Sequence, residues 1–174
     1  MRAWYMDSTD VDPREPHMTN PPEFVELERL KELGLLYCKL DGDNFEPELN
    51  EIRADRGYSY EDEFETSPEK DPNYEEKLKS FFIEHLHSAE EIRYIVDGSG
   101  YSDVRDRDDR WIRMEITRGD MLILPPGIYH RFTLDLKNYI KARRFFIGVP
   151  VWTCVYRPAD DHPSRKQYLD RIAS

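Results

Sequence analysis

No long apolar run occurs in the 174 residues, so the chain offers no membrane span. Its first residues, Met1-Arg-Ala-Trp-Tyr-Met-Asp7, lack the apolar stretch of a secretory signal. Cysteine is scarce. Cys38 and Cys154 stand far apart with no CxxC spacing, which excludes a disulfide framework and reads as two reduced thiols. Positive charge is in deficit: 25 Lys and Arg face 36 Asp and Glu, a net charge of −11. A general nucleic-acid or acidic-membrane surface needs clustered basic residues, so both are excluded as main functions. Repeats and low-complexity tracts are also missing. These absences leave one domain over 1–174, with a cytoplasmic or nucleocytoplasmic protein as the default. No heptad or long apolar edge calls for more than a monomer.

Much of the acidity lies in residues 41–76, including Glu61-Asp62-Glu63, and reads as a solvated face. Later in the chain, Arg93, Arg131, Arg143 and Arg144 offer a local positive site.

Residues 1–83 read as a helical N-terminal part. An irregular arm over 7–22 is followed by helices over Glu23–Leu33, Pro47–Arg56 and Tyr74–Ile83, with a strand at Leu35–Leu40. Residues 84–157 read as the β core. Short β-type runs cover Glu91–Val96, Gly100–Arg105, Trp111–Thr117, Asp120–Leu124, Tyr129–Leu134, Lys141–Ile147 and Val151–Arg157. Asp97-Gly98-Ser99-Gly100 reads as a tight hairpin, and Asp106–Arg110 and Arg118-Gly119-Asp120 as further turns. Residues 158–174 read as a polar, partly ordered tail. The fold class is mainly β, a sandwich or small barrel with the N-terminal helices packed outside.

Three of the five histidines fall near one another in this core: His85-Leu86-His87, then Glu91, then His130 after Pro125-Pro126-Gly127. On a helix His85 and His87 would point nearly opposite ways; on a strand they share a face. Glu91 is six residues beyond His85, roughly 20 Å in extended chain at about 3.3 Å per residue. A turn at Ser88–Glu90 is therefore required if all four are to meet. His130 and Phe132 alternate onto one face, and so do Glu91 and Arg93. Three imidazoles and a carboxylate suit Fe, Ni, Co or Mn better than a thiolate-seeking ion. His17 and His162 sit in polar, Pro-flanked segments and read as exposed and inert.

The residues resemble the cupin superfamily. Its first motif is matched by His85, His87, Glu91 and Gly98, and its second by Gly119, Pro125, Gly127 and His130. Lys79 and Leu134 depart from the pattern at positions that are not ligands. Within cupins the chain resembles the acireductone dioxygenase family, especially its eukaryotic form. Ala3–Asp7, Glu84–His87, Glu91–Ile95, Asp97–Tyr101, Asp103–Asp106, Leu124–Phe132, Pro150–Trp152 and Arg157–Asp160 carry that likeness over nearly the whole length.

The resemblance implies a jelly-roll-like β-barrel and a methionine-salvage dioxygenase. One Fe(II) or Ni(II) would be held by His85, His87, Glu91 and His130. The substrates would be 1,2-dihydroxy-5-(methylthio)pent-1-en-3-one and O2. With iron the products would be 4-methylthio-2-oxobutanoate and formate; with nickel, methylthiopropionate, formate and carbon monoxide. Arg93 and Arg144 would be basic groups near the substrate, and Phe81, Phe132 and Trp152 its aromatic walls. Relatives carry an Asp as proton-transfer group immediately before the ligand Glu, which makes Glu90 the candidate base here. Two alternatives remain: another cupin oxygenase or isomerase, or a metal-binding cupin that acts mainly as an interaction protein, with the acidic 41–76 segment facing a protein partner.

Overall fold

The computed structural model describes residues 1–173. In chain order the elements are β1 (Arg2–Tyr5), α1 (Leu27–Glu32), β2 (Leu36–Lys39), α2 (Phe45–Arg56), β3 (Tyr60–Thr66), α3 (Tyr74–Phe81), β4 (His85–Leu86), β5 (Glu91–Arg105), β6 (Trp111–Thr117), β7 (Asp120–Leu124), β8 (His130–Leu134), β9 (Ile140–Phe146), β10 (Val155–Tyr156) and α4 (Pro163–Ala173). All strand pairings are antiparallel.

One strand organises the rest. The first half of β5 pairs with β7 and β9, and its second half with β6 and β8. Two layers therefore share β5, one running β1-β6-β5-β8-β4-β10 and the other β2-β7-β5-β9-β3. They fold over a common interior in the mainly β, jelly-roll-like barrel expected from the sequence. Alternation of side chains sends Ile95, Val104, Ile112, Met114, Ile116, Leu122, Leu124, Ile140 and Ala142 into one buried cluster. A second cluster, with Leu49 of α2, Ile92, Tyr94, Ile123 and Phe145, lies on the other face of β5, β7 and β9. Each fully buried aliphatic chain contributes roughly 1.5–3 kcal/mol.

The Asp97–Gly100 segment is not a hairpin. It lies inside β5, where the pairing register with β9 slips between Ile95 and Asp97. Gly98 takes φ +77°, and a β-carbon there would collide with the backbone carbonyl of Tyr139. The glycine serves the close crossing of two strands, a bulge that lets β5 turn from one layer into the other.

The N-terminal part is less helical than the sequence suggests. β1 lies along β6, and β3 along β9. The acidic run of β3 is ion-paired and, Glu63 apart, half-buried: Glu61 pairs with Arg53 and Arg143, Asp62 with Arg144, Glu63 with Lys141 and Glu65 with Lys70. The Glu23–Leu33 helix shortens to α1, while the other two helices differ from expectation by a residue or two at their ends.

The tail is ordered as α4. Pro163 occupies its first position, and the His162 ring accepts the Ser164 N–H at 3.2 Å. Tyr168 and Ile172, one turn apart, are buried, and the Tyr168 hydroxyl donates to the Leu33 carbonyl at 2.8 Å. Neither His17 nor His162 is exposed and inert. The His17 ring is buried, 2.8 Å from Asp7 Oδ1 and 2.9 Å from the Asp12 carbonyl, contacts that hold its backbone at φ 54°.

Candidate metal centre and substrate cavity

The site forms where the two layers meet at one end of the barrel. His85 on β4 lies directly opposite His130 on β8. His87 follows the end of β4, and its carbonyl accepts the Gly127 N–H at 2.9 Å, which ties the first histidine pair to the turn before His130. Gly127, at φ +82°, leaves room for the Ser164 carbonyl at the start of α4, so the C-terminal helix buttresses this turn. The chain bends at Ser88 and Ala89, as the spacing requires, and Glu91 returns as the first residue of β5.

Each ring has one nitrogen anchored to backbone. Nδ1 of His85 bonds the Ile83 carbonyl at 2.7 Å, that of His87 the Thr153 carbonyl at 2.9 Å, and that of His130 the Ile128 carbonyl at 3.0 Å. A carbonyl only accepts, so Nδ1 carries a proton in each ring, and a neutral ring in this tautomer has its lone pair on Nε2. The ligand-capable atoms of the three rings lie within 4.8 Å of one another. Glu91 Oε1 stands 3.7 Å from Nε2 of both His87 and His130. Ligand atoms about 2.1 Å from a shared ion are about 3–4 Å apart. The Glu91 spacings to His87 and His130 fall in that range, beside the three-histidine group.

Two further observations support that fit. His130 Nε2 is buried and has no hydrogen-bond partner, the one such side-chain atom among the described residues. Such an orphan costs about 1–3 kcal/mol unless something accepts its lone pair. Burial also pushes the His85 pKa down to about 4, and burial lowers that of His87. Burial opposes ionisation of Glu91, but the Arg93 guanidinium leads the charges that outweigh it and hold its pKa well below the usual range. Neutral imidazoles and an ionised carboxylate are the forms that bind a divalent cation.

A cavity of about 240 Å³ opens beside these groups. Arg93, Arg144, Phe81, Phe132 and Trp152 all line it. Phe81 meets Phe132 and Phe64 edge to face, with centroids 5.9 and 5.6 Å apart, so it belongs to the wall as well as to α3. Arg93 lies 3.3 Å from Glu91 Oε1, and its guanidinium sits 5.6 Å from the Trp152 ring centre. Arg143 faces away, toward Glu61 and Glu46, as strand alternation predicts.

Glu90 is a correction. It does not line the cavity. Its carboxylate accepts from Arg56 at 2.9 Å and from the Tyr58 hydroxyl at 2.8 Å. Alternation decides this: Glu91 points inward, so Glu90 points toward α2. Phe64, not among the residues expected at the site, also lines the cavity. The signal was present in Tyr60-Glu-Asp-Glu-Phe-Glu-Thr66, where glutamates at 61, 63 and 65 alternate with another set.

The model of the ARD/ARD' family matches residues 2–154. The chain belongs to the ARD/ARD' family. An acireductone dioxygenase from Branchiostoma floridae is 62% identical over 169 residues, covering 97% of this chain and 96% of that protein. One from Gallus gallus is 56% identical over 175 residues, covering 99% and 97%. Among solved structures, acireductone dioxygenase from Bacillus anthracis, which holds a cadmium ion in its active centre, aligns with a TM-score of 0.71 at 25% identity over 90% of this chain and 98% of its own. Membership in the ARD/ARD' family thus rests on nearly the full length of the barrel just described.

Proposed function

We propose that His85, His87, Glu91 and His130 hold one divalent ion, Fe(II) or alternatively Ni(II), and that the cavity beside them takes 1,2-dihydroxy-5-(methylthio)pent-1-en-3-one together with O2. The dioxygenase activity itself follows from likeness to acireductone dioxygenases at 56 and 62% identity over nearly the whole chain. The observation that carries the metal reading is the convergence of three anchored imidazoles with one carboxylate around the orphaned His130 Nε2.

His85, His87, Glu91 and His130 would hold the ion, and the cavity beside them would admit an anionic enediol next to it. When bound, the ion supplies Lewis acidity toward the substrate oxygens and a route to O2 chemistry. The protein's own groups do the rest. An enediol of this kind is anionic near neutral pH, and Arg93 and Arg144 supply fixed positive charge at the cavity wall. Phe64, Phe81 and Phe132 form an apolar side that excludes water and suits a methylthio tail. Glu90 is engaged by Arg56 and Tyr58 and does not line the cavity, so no substrate contact is assigned to it. With iron the cleavage consumes the acireductone and O2 and yields 4-methylthio-2-oxobutanoate and formate. With nickel the same atoms leave as methylthiopropionate, formate and carbon monoxide.

The test is anaerobic mixing of Fe-loaded protein with the acireductone, then addition of O2. Enediol absorbance should fall far faster than in the spontaneous reaction, and His85→Ala should remove the acceleration together with the bound metal. Loss of absorbance only at the spontaneous rate would refute the dioxygenase reading. Carbon monoxide from Ni-loaded but not Fe-loaded protein would support the dependence of product on the ion.

A further inference from the structure

A row of charged residues crosses three neighbouring strands beside the cavity. Asp62 on β3 lies opposite Arg144 on β9, and Arg144 lies opposite Arg93 on β5. Two guanidiniums facing each other across a sheet repel. Each is answered by a carboxylate at its outer side: Arg93 by Glu91 at 3.3 Å, and Arg144 by Asp62 through two parallel bonds of 2.7 Å from Nε and Nη2. The Tyr60 hydroxyl donates to Asp62 Oδ2 at 2.7 Å. Its ring meets Trp152 edge on, with centroids 6.3 Å apart. Arg144 in turn lies 4.5 Å from the centre of the Trp152 ring.

The paired fork uses Nε and Nη2, so Arg144 Nη1 is left with no acceptor among the described residues. Arg144 lines the cavity and Asp62 does not. Asp62 therefore makes no contact with a molecule in the cavity, and any effect it has on orientation passes through Arg144. A bidentate carboxylate fixes the plane of a guanidinium, which a single hydrogen bond or a bare charge does not.

We propose that Asp62 is a positioning residue of the acireductone site: seated by Tyr60, it holds Arg144 over the Trp152 ring with its unengaged Nη1 edge available to an anionic substrate. This rests on the dioxygenase reading above. A rival role for Asp62, plain charge compensation, predicts the opposite sign. Removing one carboxylate makes the site more positive, and Coulomb attraction alone would then bind an anion more tightly. Loss of positioning binds it more weakly.

The experiment compares wild type, Asp62→Asn, Asp62→Glu and Tyr60→Phe, each Fe-loaded, in steady-state turnover and in anaerobic titration with the acireductone. Asp62→Asn should keep its metal, because the proposed ligands lie elsewhere. Its KM and anaerobic Kd should rise about tenfold while kcat changes little, the pattern of a lost substrate-holding contact. Asp62→Glu should recover part of the loss, and Tyr60→Phe should raise KM about two- to threefold. An unchanged or lowered KM and Kd in Asp62→Asn would overturn the proposal. So would wild-type values in both Asp62→Glu and Tyr60→Phe, which decides the matter even if Asp62→Asn does not fold. A wild type that fails to turn over the acireductone would instead sink the reading on which the proposal rests.

Discussion

Two clusters of polar side chains are buried along β5, and they differ in one respect. Near its end, Asp103 and Arg113 are both 0% exposed. Asp103 accepts from Arg113 at 2.8 and 2.9 Å and from Arg131 at 2.9 Å. The remaining nitrogen of Arg113 donates to the Pro13 and Glu15 carbonyls at 2.7 and 2.6 Å, which fastens the N-terminal arm to the outside of the barrel. At the start of β5, His85, His87, His130 and Glu91 are also largely enclosed, but the ligand-capable atoms of the three rings converge within 4.8 Å and His130 Nε2 has no partner. One cluster is complete within the protein; the other leaves a buried nitrogen open, as a cation site would. Burial and charge are common to both, so satisfaction of the polar atoms is what separates a structural network from a ligand site.

The same operation on the two clusters should give opposite results. His130→Ala should reduce dioxygenase turnover by about 1,000-fold or more, a barrier increase of about 4 kcal/mol, measured on protein exposed to excess Fe(II). In metal-free protein the same change should move stability by only about 1 kcal/mol, because it removes an unsatisfied atom as well as packing. Arg113→Ala should cost about 3–5 kcal/mol in denaturant unfolding, since it leaves Asp103 buried with less compensation and frees two carbonyls of the arm. If metal-free His130→Ala loses as much stability as Arg113→Ala, the distinction between the clusters fails.

Chelation should lower the thermal midpoint by several degrees, with recovery on Fe(II) or Ni(II), as for any ligand that binds only the folded state. Arg113→Ala protein should show no such recovery of its own deficit on metal addition. Gly98→Ala should cost about 1–3 kcal/mol, because both the positive φ and the Tyr139 carbonyl oppose a side chain there; circular dichroism melts would register it. The smallest effect concerns the arm. Arg14 holds the Asp12 carboxyl down from 3.8 to about 2 through hydrogen bonds. A folded pKa below the unfolded one stabilises above about pH 4, and the contribution disappears as pH falls toward about 2. Asp12→Asn should therefore lower stability at pH 7 by less than about 1 kcal/mol, given the exposure of the pair, and the two proteins should converge near pH 2 in denaturant midpoints.

Much of the barrel was legible because its strands alternate and its turns are marked. Trp111–Thr117 and Asp120–Leu124 occupy the ranges that the pattern predicts, separated by Gly119 at φ +90°. The Ser88–Glu90 bend follows from chain reach alone. The acidic β3 was hidden by composition, since glutamates usually mark a solvated face and the cations that neutralise them, Arg143, Arg144 and Lys141, come from β9 far along the chain. The Asp97–Gly100 segment misled because its glycines are the same ones a hairpin needs. Whether such glycines reverse a strand or let it cross another depends on what approaches them, here the Tyr139 carbonyl.

The sequence by itself determined the candidate donor set and its spacing: His85, His87, Glu91 and His130, with Arg93 and Phe132 carried onto the same faces by a two-residue period. That information is local, because alternation and turn chemistry act over a few residues. Only the tertiary structure decided which polar groups are satisfied. It paired Glu90 with Arg56 and Tyr58, Asp62 with Arg144, and Asp103 with Arg113, and it left His130 Nε2 open. Those outcomes depend on elements distant in the chain meeting within about 3 Å, the range over which a hydrogen bond is made or missed.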